Sequence, residues 1–282
     1  MPFVNSEYGK LKKVLLCRPE YLSISTPINK IAEKYNKDRG NVNIEKACKQ
    51  HNEFVEVFKS YGVEVLLAKT NIRYPYEVNT RDLGVTTAKG IIFGRYLNPM
   101  HWGEHRLAEK TLYENNVPIY YKMNKGTFEG GDFIYINKKL AAVGIGIRTN
   151  MLGVNDLRIA LYDVDIELVP VDFDEDYLHL DKIFNVIGEK VAVVCPDALP
   201  EQILNRLNEE KFELIKVSKE DVFLEACNLL NIGNDTILSC PQAKKVNKKL
   251  KALGFKVEIL NLEEVSKSGG GLRCMSFPIE RE

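Results

Sequence analysis

The sequence of 282 residues lacks the features that mark several large classes of proteins. Its 39 basic and 39 acidic side chains cancel, so it has no excess positive charge with which to bind a nucleic acid or an anionic membrane. No apolar run is long enough to cross a bilayer, the N-terminus does not resemble a signal peptide, and the six cysteines lack disulfide-framework spacing. We therefore expect a cytoplasmic protein that binds neither nucleic acid nor membranes.

Clustered metal ligands are also missing from the sequence. It has four histidines and no Cys-x-x-Cys motif. His101 and His105 have the spacing of two ligands on one helix face, but Gly103 lies between them and no third ligand is near. We expect no metal site.

What the sequence does contain is a cysteine preceded by three glycines, in the segment SGGGLRCMS at residues 268–276. Glycine adopts backbone angles closed to other residues and lets a ligand approach the main chain, so this run is unusual around a cysteine that only packs. Cys274 is therefore a candidate nucleophile, although a cysteine is more often a small core residue.

A thiol nucleophile needs a histidine and a carboxylate that lie near it in space. His179 belongs to the alternating run DYLHLD at residues 176–181, which predicts a short strand with His179 and Asp181 on one face. His51 lies among polar residues of a predicted helix, where a solvated face explains it. His179 is therefore the predicted base.

Further acids lie beside glycines at the starts of predicted strands. Glu129 and Asp132 occur in TFEGGDFIYI at residues 127–136, and Asp82 occurs in VNTRDLGV at residues 78–85. One such acid is ordinary turn material, but several together predict a cradle for a planar guanidinium, which offers five donors in a fixed arrangement. The central carbon of a guanidinium is an electrophile that a thiolate can attack.

These residues resemble the guanidine-modifying enzymes, which include arginine deiminases, dimethylarginine dimethylaminohydrolases and amidinotransferases. The motifs that carry the resemblance occur in the family's order: TRD at 80–82, FEGGD at 128–132, RTN at 148–150, HLD at 179–181 and GGGLRCM at 269–275. The resemblance implies an α/β fold, a five-bladed propeller of ββαβ modules known as a pentein. It also implies a single domain over residues 1–282 with the active site in a central channel.

The local patterns are compatible with that fold, although periodicity alone would suggest an open parallel sheet. Short strands are predicted at 11–16, 63–67, 90–93, 133–136, 139–144, 190–194, 236–240 and 256–260. Helices are predicted at 44–61, 104–115, 200–208 and 241–253. Residues 25–43 are polar, and we expect them to form a mobile, loop-like cover near the mouth of the channel.

The resemblance also implies roles for these residues. Cys274 would attack the guanidinium carbon and form a covalent thiouronium. His179 would protonate the departing amine and then take a proton from the water that resolves the intermediate. Glu129 and Asp82 would bind guanidinium nitrogens, and no cofactor is required. Arg81 and Asp132, from the same motifs, join the predicted substrate-binding residues.

Two further residues, Asp181 and Arg148, correspond to family positions that bear on the identity of the substrate. Asp181 follows the deiminase and amidinotransferase version of its motif. A dimethylated nitrogen would leave this acid unpaired at a cost of roughly 1 to 3 kcal/mol, so Asp181 favours a plain guanidine. Against this, the short chain and its TRDL context resemble small bacterial proteins grouped with dimethylarginine hydrolases. Arg148 matches an arginine that pairs with the substrate carboxylate.

A second family arginine is expected just before Gly103, where this sequence has Met100, His101 and Trp102 instead. Arg95 or Arg106 could supply the missing charge.

We therefore expect a thiol hydrolase that cleaves a C–N bond of an arginine-type guanidine, with a small cationic guanidine as its partner. An amidinotransferase would share the covalent step and deliver the amidine to an amine rather than to water. A non-catalytic guanidine-binding module is the third alternative. The sequence leaves homo-oligomerisation open.

Overall fold

The computed structural model describes residues 3–39, 42–174 and 176–282. Its strands form five separate three-stranded sheets that share one construction. In each sheet an antiparallel strand pair is followed by at least one helix, and the next strand pairs parallel to the middle strand. This is the ββαβ module, and five of them make the five-bladed α/β propeller that the resemblance implied.

The strands are β1 Leu11–Cys17, β2 Glu64–Ala68, β3 Gly84–Thr87, β4 Gly90–Phe93, β5 Ile119–Lys122, β6 Phe133–Asn137, β7 Leu140–Ile145, β8 Glu167–Asp172, β9 Phe184–Gly188, β10 Val191–Val194, β11 Glu213–Lys216, β12 Leu230–Gly233, β13 Thr236–Ser239, β14 Lys256–Ile259 and β15 Phe277–Arg281. The α-helices are α1 Lys30–Arg39, α2 Ile44–Ser60, α3 Glu104–Glu114, α4 Met151–Leu161, α5 Glu201–Glu209, α6 Lys219–Val222, α7 Lys244–Ala252 and α8 Glu263–Ser266.

Both ends of the chain contribute to one module, and this closes the ring. β15 pairs antiparallel with β1, with Phe277 opposite Leu15, while β2 pairs parallel on the other side of β1. The sheet order is therefore β15, β1, β2. With this pairing, the module has the same three-stranded arrangement as the other four modules.

Short turns precede the first strand of several modules and determine where the site can form. Thr80–Leu83, Gly130–Asp132 and Leu180–Lys182 are single 3₁₀ turns directly before or within a residue of β3, β6 and β9. They carry the TRD, EGGD and HLD motifs. The thiol motif holds the equivalent position before β15. The repeated module thus brings motifs that are distant in sequence to equivalent positions.

Helix α2 shows how the helices bury one face. Its buried positions recur with helical spacing and include Ala47, Phe54 and Phe58. His51 lies on the same buried face, so the prediction of a solvated face was wrong. Burial lowers the pKa of His51 to about 4, and its ring packs edge-on against Phe54. His51 is therefore a neutral core residue.

The predicted elements agree with the structure where the pattern is long. Helices α2, α3 and α5 match within about two residues, whereas α7 is shorter than predicted and α4, α6 and α8 were missed. The strands β3, β5, β8, β9, β11, β12 and β15 were also missed, since runs of four to six residues carry little periodicity. The strand predicted at 176–181 does not form. Bends at these residues lead into the Leu180–Lys182 turn instead.

The segment at 25–43 is not loop-like throughout, because α1 occupies most of it and residues 40 and 41 lie outside the described chain. Its first part is tied down by hydrogen bonds from Tyr76 Oη to the carbonyl of Thr26 and from Asn29 Nδ2 to the carbonyl of Ser268. Across the described ranges, none of the helices combines the length and apolar character needed for a membrane span.

Candidate active site

Each of the five modules places a polar residue just before the first strand of its sheet. These residues are Asp82 before β3, Glu129 before β6, His179 before β9, Asn228 before β12 and Cys274 before β15. His179 contacts Glu129 and Asp82, and Asn228 contacts Cys274. The site is therefore assembled from turns at equivalent positions around the ring, and all five side chains are buried.

His179 lies between two carboxylates. Its Nε2 is 2.9 Å from Oε2 of Glu129, and its Nδ1 is 3.6 Å from Oδ1 of Asp82. Burial disfavours the charged imidazole, but Asp82, Asp132 and Glu129 outweigh it and raise the pKa of His179 to about 10. The ring is therefore an imidazolium at neutral pH, ready to donate a proton.

The two carboxylates around His179 differ in their proton affinity. Burial raises the pKa of Asp82, against the attraction of His179 and with the help of Glu129. Burial acts on Glu129 in the same direction, but the hydrogen bond with His179 and the charge of Arg148 lower its pKa below the ordinary value. Glu129 is thus the more firmly ionised of the two.

Cys274 is held by Asn228 and faces Asp181. Asn228 Nδ2 donates to Sγ at 3.1 Å, while Oδ1 of Asn228 accepts from the backbone N–H of Cys274 at 3.1 Å. Sγ lies 3.6 Å from Oδ2 of Asp181. Burial and then Asp181 raise the pKa of the thiol, whereas Lys182 lowers it. With these neighbours the sulfur is a neutral thiol.

Asp181 is anchored from behind by the residue next to the nucleophile. Arg273 Nη1 donates to Oδ2 of Asp181 at 2.9 Å, and Nη2 donates to Oε1 of Glu7 at 3.1 Å and to the carbonyl of Phe133 at 2.8 Å. The contact of Arg273 engages one carboxylate oxygen of Asp181. The second oxygen, Oδ1, lies 3.9 Å from the sulfur.

Asp132 uses both of its oxygens inside the protein. Oδ2 accepts from Thr149 Oγ1 at 2.6 Å, and Oδ1 accepts from the backbone N–H of Leu180 at 2.9 Å. Burial raises the pKa of Asp132 to about 7, against the charge of His179. The structure thus brings Asp132 against the turn that carries His179.

Arg148 connects the acid cluster to the segment at 25–43, the predicted covering segment. Its Nη1 lies 3.4 Å from Oε1 of Glu129, and its Nη2 donates to the carbonyl of Ile28 at 2.9 Å. Arg81 has other neighbours: its backbone N–H donates to the carbonyl of Cys274 at 2.9 Å, and its Nε donates to the carbonyl of Arg273 at 3.4 Å. Arg81 therefore braces the thiol turn.

A cavity of about 690 Å³ lies beside Lys182, the residue after Asp181, although Asp82, Glu129, His179 and Cys274 do not line it. Its lining includes Ile28 and Asn29 of the covering segment, together with Lys182 and Gly269 near the thiol turn. Lys182 is buried and its Nζ lies 2.5 Å from Oε2 of Glu225. The cavity thus provides space for a ligand between the covering segment and the residues that flank Cys274.

Two glycines of the motifs are required by close contacts. A Cβ on Gly131 would lie 2.7 Å from Cγ of the His179 ring, and a Cβ on Gly270 would lie 2.1 Å from Oδ1 of Asn79. Neither position can hold a larger residue without displacing a neighbour. The glycines therefore let the histidine and thiol turns pack tightly.

The site has donors that could hold a cation. One ligand atom each from Asp82, Glu129 and His179 lies within 4.8 Å of the others. Such a set suits either a small metal ion or an organic cation. His101 and His105 are engaged elsewhere, His101 with Glu104 at 2.7 Å and His105 with the carbonyl of Leu83 at 2.9 Å.

The sequence did not reveal Asn228, Lys182 or Glu225. Asn228 stands outside every recognised motif, and its position before β12 becomes meaningful only when the modules are compared. Lys182 directly follows the HLD motif and could have been noted there. Arg95 and Arg106 are both exposed, and Arg95 Nη1 donates to the carbonyl of Gly126 at 2.7 Å.

The family model described as N,N dimethylarginine dimethylhydrolase, eukaryotic, matches residues 18–281 of this chain. The chain belongs to this family of guanidine-modifying enzymes. Members of the wider superfamily are hydrolases or amidinotransferases that act on guanidines.

Individual relatives agree with the family assignment. The uncharacterized protein YkgA of Bacillus subtilis strain 168 is 33% identical over 98% of this chain and 94% of its own length. The arginine deiminase of Borrelia duttonii is 25% identical over 79% of this chain and 67% of its own. Among solved structures, the product-bound N-terminal domain of ArgZ, a cyanobacterial arginine dihydrolase, superposes with a TM-score of 0.84 at 25% identity and covers 96% of this chain and 98% of its own.

Proposed function

We propose that this protein hydrolyses a C–N bond of an arginine-type guanidine through a covalent thiouronium on Cys274. The observation that carries the proposal is the convergence of a buried thiol, an imidazolium and three carboxylates on neighbouring turns. The carboxylates of Asp82, Glu129 and Asp181 would surround a guanidinium and hold it for attack. The names of the relatives, an arginine deiminase and an arginine dihydrolase, support an arginine-type substrate.

The first chemical step depends on ionisation of the thiol. Its pKa is raised in the unliganded protein because burial and Asp181 disfavour the thiolate. A bound guanidinium would add a positive charge beside the sulfur and lower that pKa. The thiol proton would leave towards the carboxylate oxygens of Asp181, 3.6 and 3.9 Å away. The substrate thereby helps to create its own nucleophile.

The thiolate then attacks the guanidinium carbon to give a tetrahedral adduct. His179, protonated at neutral pH, gives its proton to the departing nitrogen, and the C–N bond breaks to leave the thiouronium. The neutral imidazole next takes a proton from water, and the hydroxide adds to the same carbon. The C–S bond then breaks while the hydroxyl of the adduct gives up its proton, which leaves with the amine or ammonia as its conjugate acid. Asp181 returns its proton to the sulfur and restores the thiol. The products are a ureido compound and an amine or ammonia.

Several residues act by positioning in this proposal. Glu129 and Asp132 orient the histidine turn, Arg273 fixes Asp181, and Arg81 braces the turn that carries the thiol. Arg148 would exchange the carbonyl of Ile28 for the carboxylate of the substrate, because a guanidinium pairs more strongly with a carboxylate than with an amide oxygen. This exchange would couple substrate binding to movement of the covering segment.

The test is incubation of the purified protein with arginine, asymmetric dimethylarginine and simpler guanidines, each with and without an amine acceptor. Products are identified by mass. A ureido product that forms without the acceptor supports hydrolysis. An amidino group found on the acceptor would identify an amidinotransferase instead. Binding of a guanidine with no product and no protein adduct would indicate a non-catalytic module.

A further inference from the structure

A second charged cluster lies behind the thiol turn, apart from the proposed substrate site. It consists of three arginines, Arg81, Arg273 and Arg281, whose exposed fractions are 6%, 1% and 2%. The buried carboxylate of Glu7 lies among them and accepts from Arg273 Nη2 at 3.1 Å. Three guanidinium groups in such close proximity inside a protein need negative charge to balance them.

The acids of the described chain do not supply enough negative charge for this cluster. Within the described ranges the ion pairs of these arginines involve two carboxylates, Glu7 and Asp181, and both pair with Arg273, so three positive charges meet two negative ones. One positive charge is left over. Burial, followed by the repulsion of Arg273, lowers the pKa of Arg81 to about 9. Burial also lowers the pKa of Arg281 to about 10, with Glu7 opposing and Arg273 adding to the effect.

The same arginines have spare hydrogen-bond donors. Arg281 Nη1 and Nη2 donate to the carbonyls of Gly9 and Asn231, at 2.6 and 2.8 Å. Its Nε, Nη2 of Arg81 and Nε of Arg273 are buried and have no hydrogen-bond acceptor within the described ranges. A buried donor without an acceptor is costly, so the cluster is arranged to receive one.

A small cavity lies at this place. Its lining includes Glu7, Arg81, Thr86, Tyr135 and Arg281. It has room for about one water-sized particle. It shares no lining residue with the 690 Å³ cavity beside the proposed substrate site. Arg81 and Arg281, which carry two of the three spare donors, line this space, whereas Arg273 does not.

We propose that this cluster binds one small monovalent anion of the size of chloride. A single negative charge neutralises the arginine excess, and its spherical shape accepts donors from several directions. Larger oxyanions and carboxylates are excluded by the size of the cavity. This site goes beyond the proposed reaction and does not depend on it, since none of its donors contacts the guanidine in that scheme.

Two variants change the charge balance in opposite directions. Arg281→Gln removes the excess charge and is expected to abolish anion binding. Glu7→Gln keeps an oxygen acceptor for Arg273 and raises the excess positive charge of the cluster to two. This variant should therefore bind the anion more tightly. Urea unfolding is measured while chloride replaces gluconate at constant ionic strength, because gluconate is too large for the cavity.

For the wild type, the unfolding equilibrium constant should fall about tenfold for each tenfold rise of chloride above the dissociation constant. Glu7→Gln should show the same response at lower chloride, and Arg281→Gln should show none. Equal responses of the wild type and Arg281→Gln would overturn the proposal.

A direct observation keeps the test decisive if Arg281→Gln does not fold. Wild-type crystals soaked in bromide should give an anomalous peak between Arg81 and Arg281, and the peak should disappear when chloride is added in excess. An ordered water at that position, with no anomalous signal, would show that the cluster holds solvent and would refute the anion site.

Discussion

Oδ2 of Asp181 lies 3.6 Å from the sulfur of Cys274 and accepts a hydrogen bond from Arg273 Nη1 at 2.9 Å. One carboxylate thus links the proposed nucleophile to the arginine that precedes it in the chain. The arrangement keeps the thiol neutral until a cation arrives, because Asp181 disfavours a second negative charge beside it. The protein is thereby protected from a permanently reactive thiolate.

Replacing Cys274 by Ala should reduce turnover by roughly 10³-fold or more while leaving the fold intact, because the nucleophile is lost and its volume nearly kept. Turnover is measured on the best guanidine of the panel, and folding is checked by circular dichroism. Wild-type protein quenched in acid should carry an amidine mass adduct that the variant lacks. Near-normal turnover by Cys274→Ala would exclude the covalent mechanism.

His179→Gln should slow turnover by roughly 10² to 10⁴-fold and cause the thiouronium to accumulate, since resolution needs a base for water. Rapid-quench mass spectrometry measures the fraction of protein in the adduct. Glu129→Gln is compared with it: this variant weakens both the orientation of the ring and the hold on the guanidinium but keeps the base, so it should slow turnover without accumulation of the thiouronium. If His179→Gln turns over normally, another base must serve.

The same histidine should govern part of the pH dependence of stability. Its pKa rises from 6.5 to about 10 on folding, so its contribution is fully present below pH 6.5 and is lost as the pH approaches about 10. The difference in the free energy of unfolding between the wild type and His179→Gln should therefore shrink across that range. Urea titrations at several pH values measure it. A constant difference would mean that the imidazole is neutral when folded.

Asp181 should set the preference between plain and methylated guanidines. The wild type should prefer arginine over asymmetric dimethylarginine, because a methylated nitrogen leaves a desolvated acceptor unpaired. Asp181→Asn retains an oxygen for Arg273 and should reduce the preference roughly tenfold or more. The ratio of kcat/KM values for the two substrates decides the matter. A wild-type preference for the dimethylated substrate would show that Asp181 does not contact the guanidinium.

Lys182 should accelerate alkylation of Cys274, because its positive charge favours the thiolate. Lys182→Met combined with Glu225→Gln removes both members of the pair and leaves no unpaired buried charge. This double variant should react more slowly with iodoacetamide at pH 8, because Lys182 lowers the pKa of the thiol more than Glu225 raises it, whereas Lys182→Arg should react at the wild-type rate. Peptide mass spectrometry distinguishes Cys274 from the other five cysteines. Equal alkylation rates for all three proteins would show that the charge of Lys182 does not influence the Cys274 thiol.

The sequence predicted the parts of this site that depend on unusual local chemistry. Gly131 and Gly270 are required by contacts with His179 and Asn79, and such glycines are visible in a sequence because few other structures need them. The sequence pattern gave a wrong prediction where a polar residue among polar sequence neighbours is buried in the structure. His51 has polar neighbours in sequence but lies on the buried face of α2, which only the packing of that helix determines.

The short strands and the bracing residues illustrate a second limit. Strands such as β12 and β15 each contain four buried residues, too few for alternation to distinguish them from other apolar runs. Asn228 gives no local signal, because its role arises from its contact with Cys274 across the ring. Residues that act through contacts distant in sequence become visible only when the modules are superposed.

The pairing of β15 with β1 has a consequence for the order of folding. Cys274 immediately precedes the strand that joins the two ends of the ring, so the sulfur reaches its place only when contacts of very large sequence separation form. Four modules can be complete while the thiol is still unplaced. A partly folded chain would then hold the acids and the imidazole without an aligned nucleophile, and its chemistry would begin only with the last strand pairing.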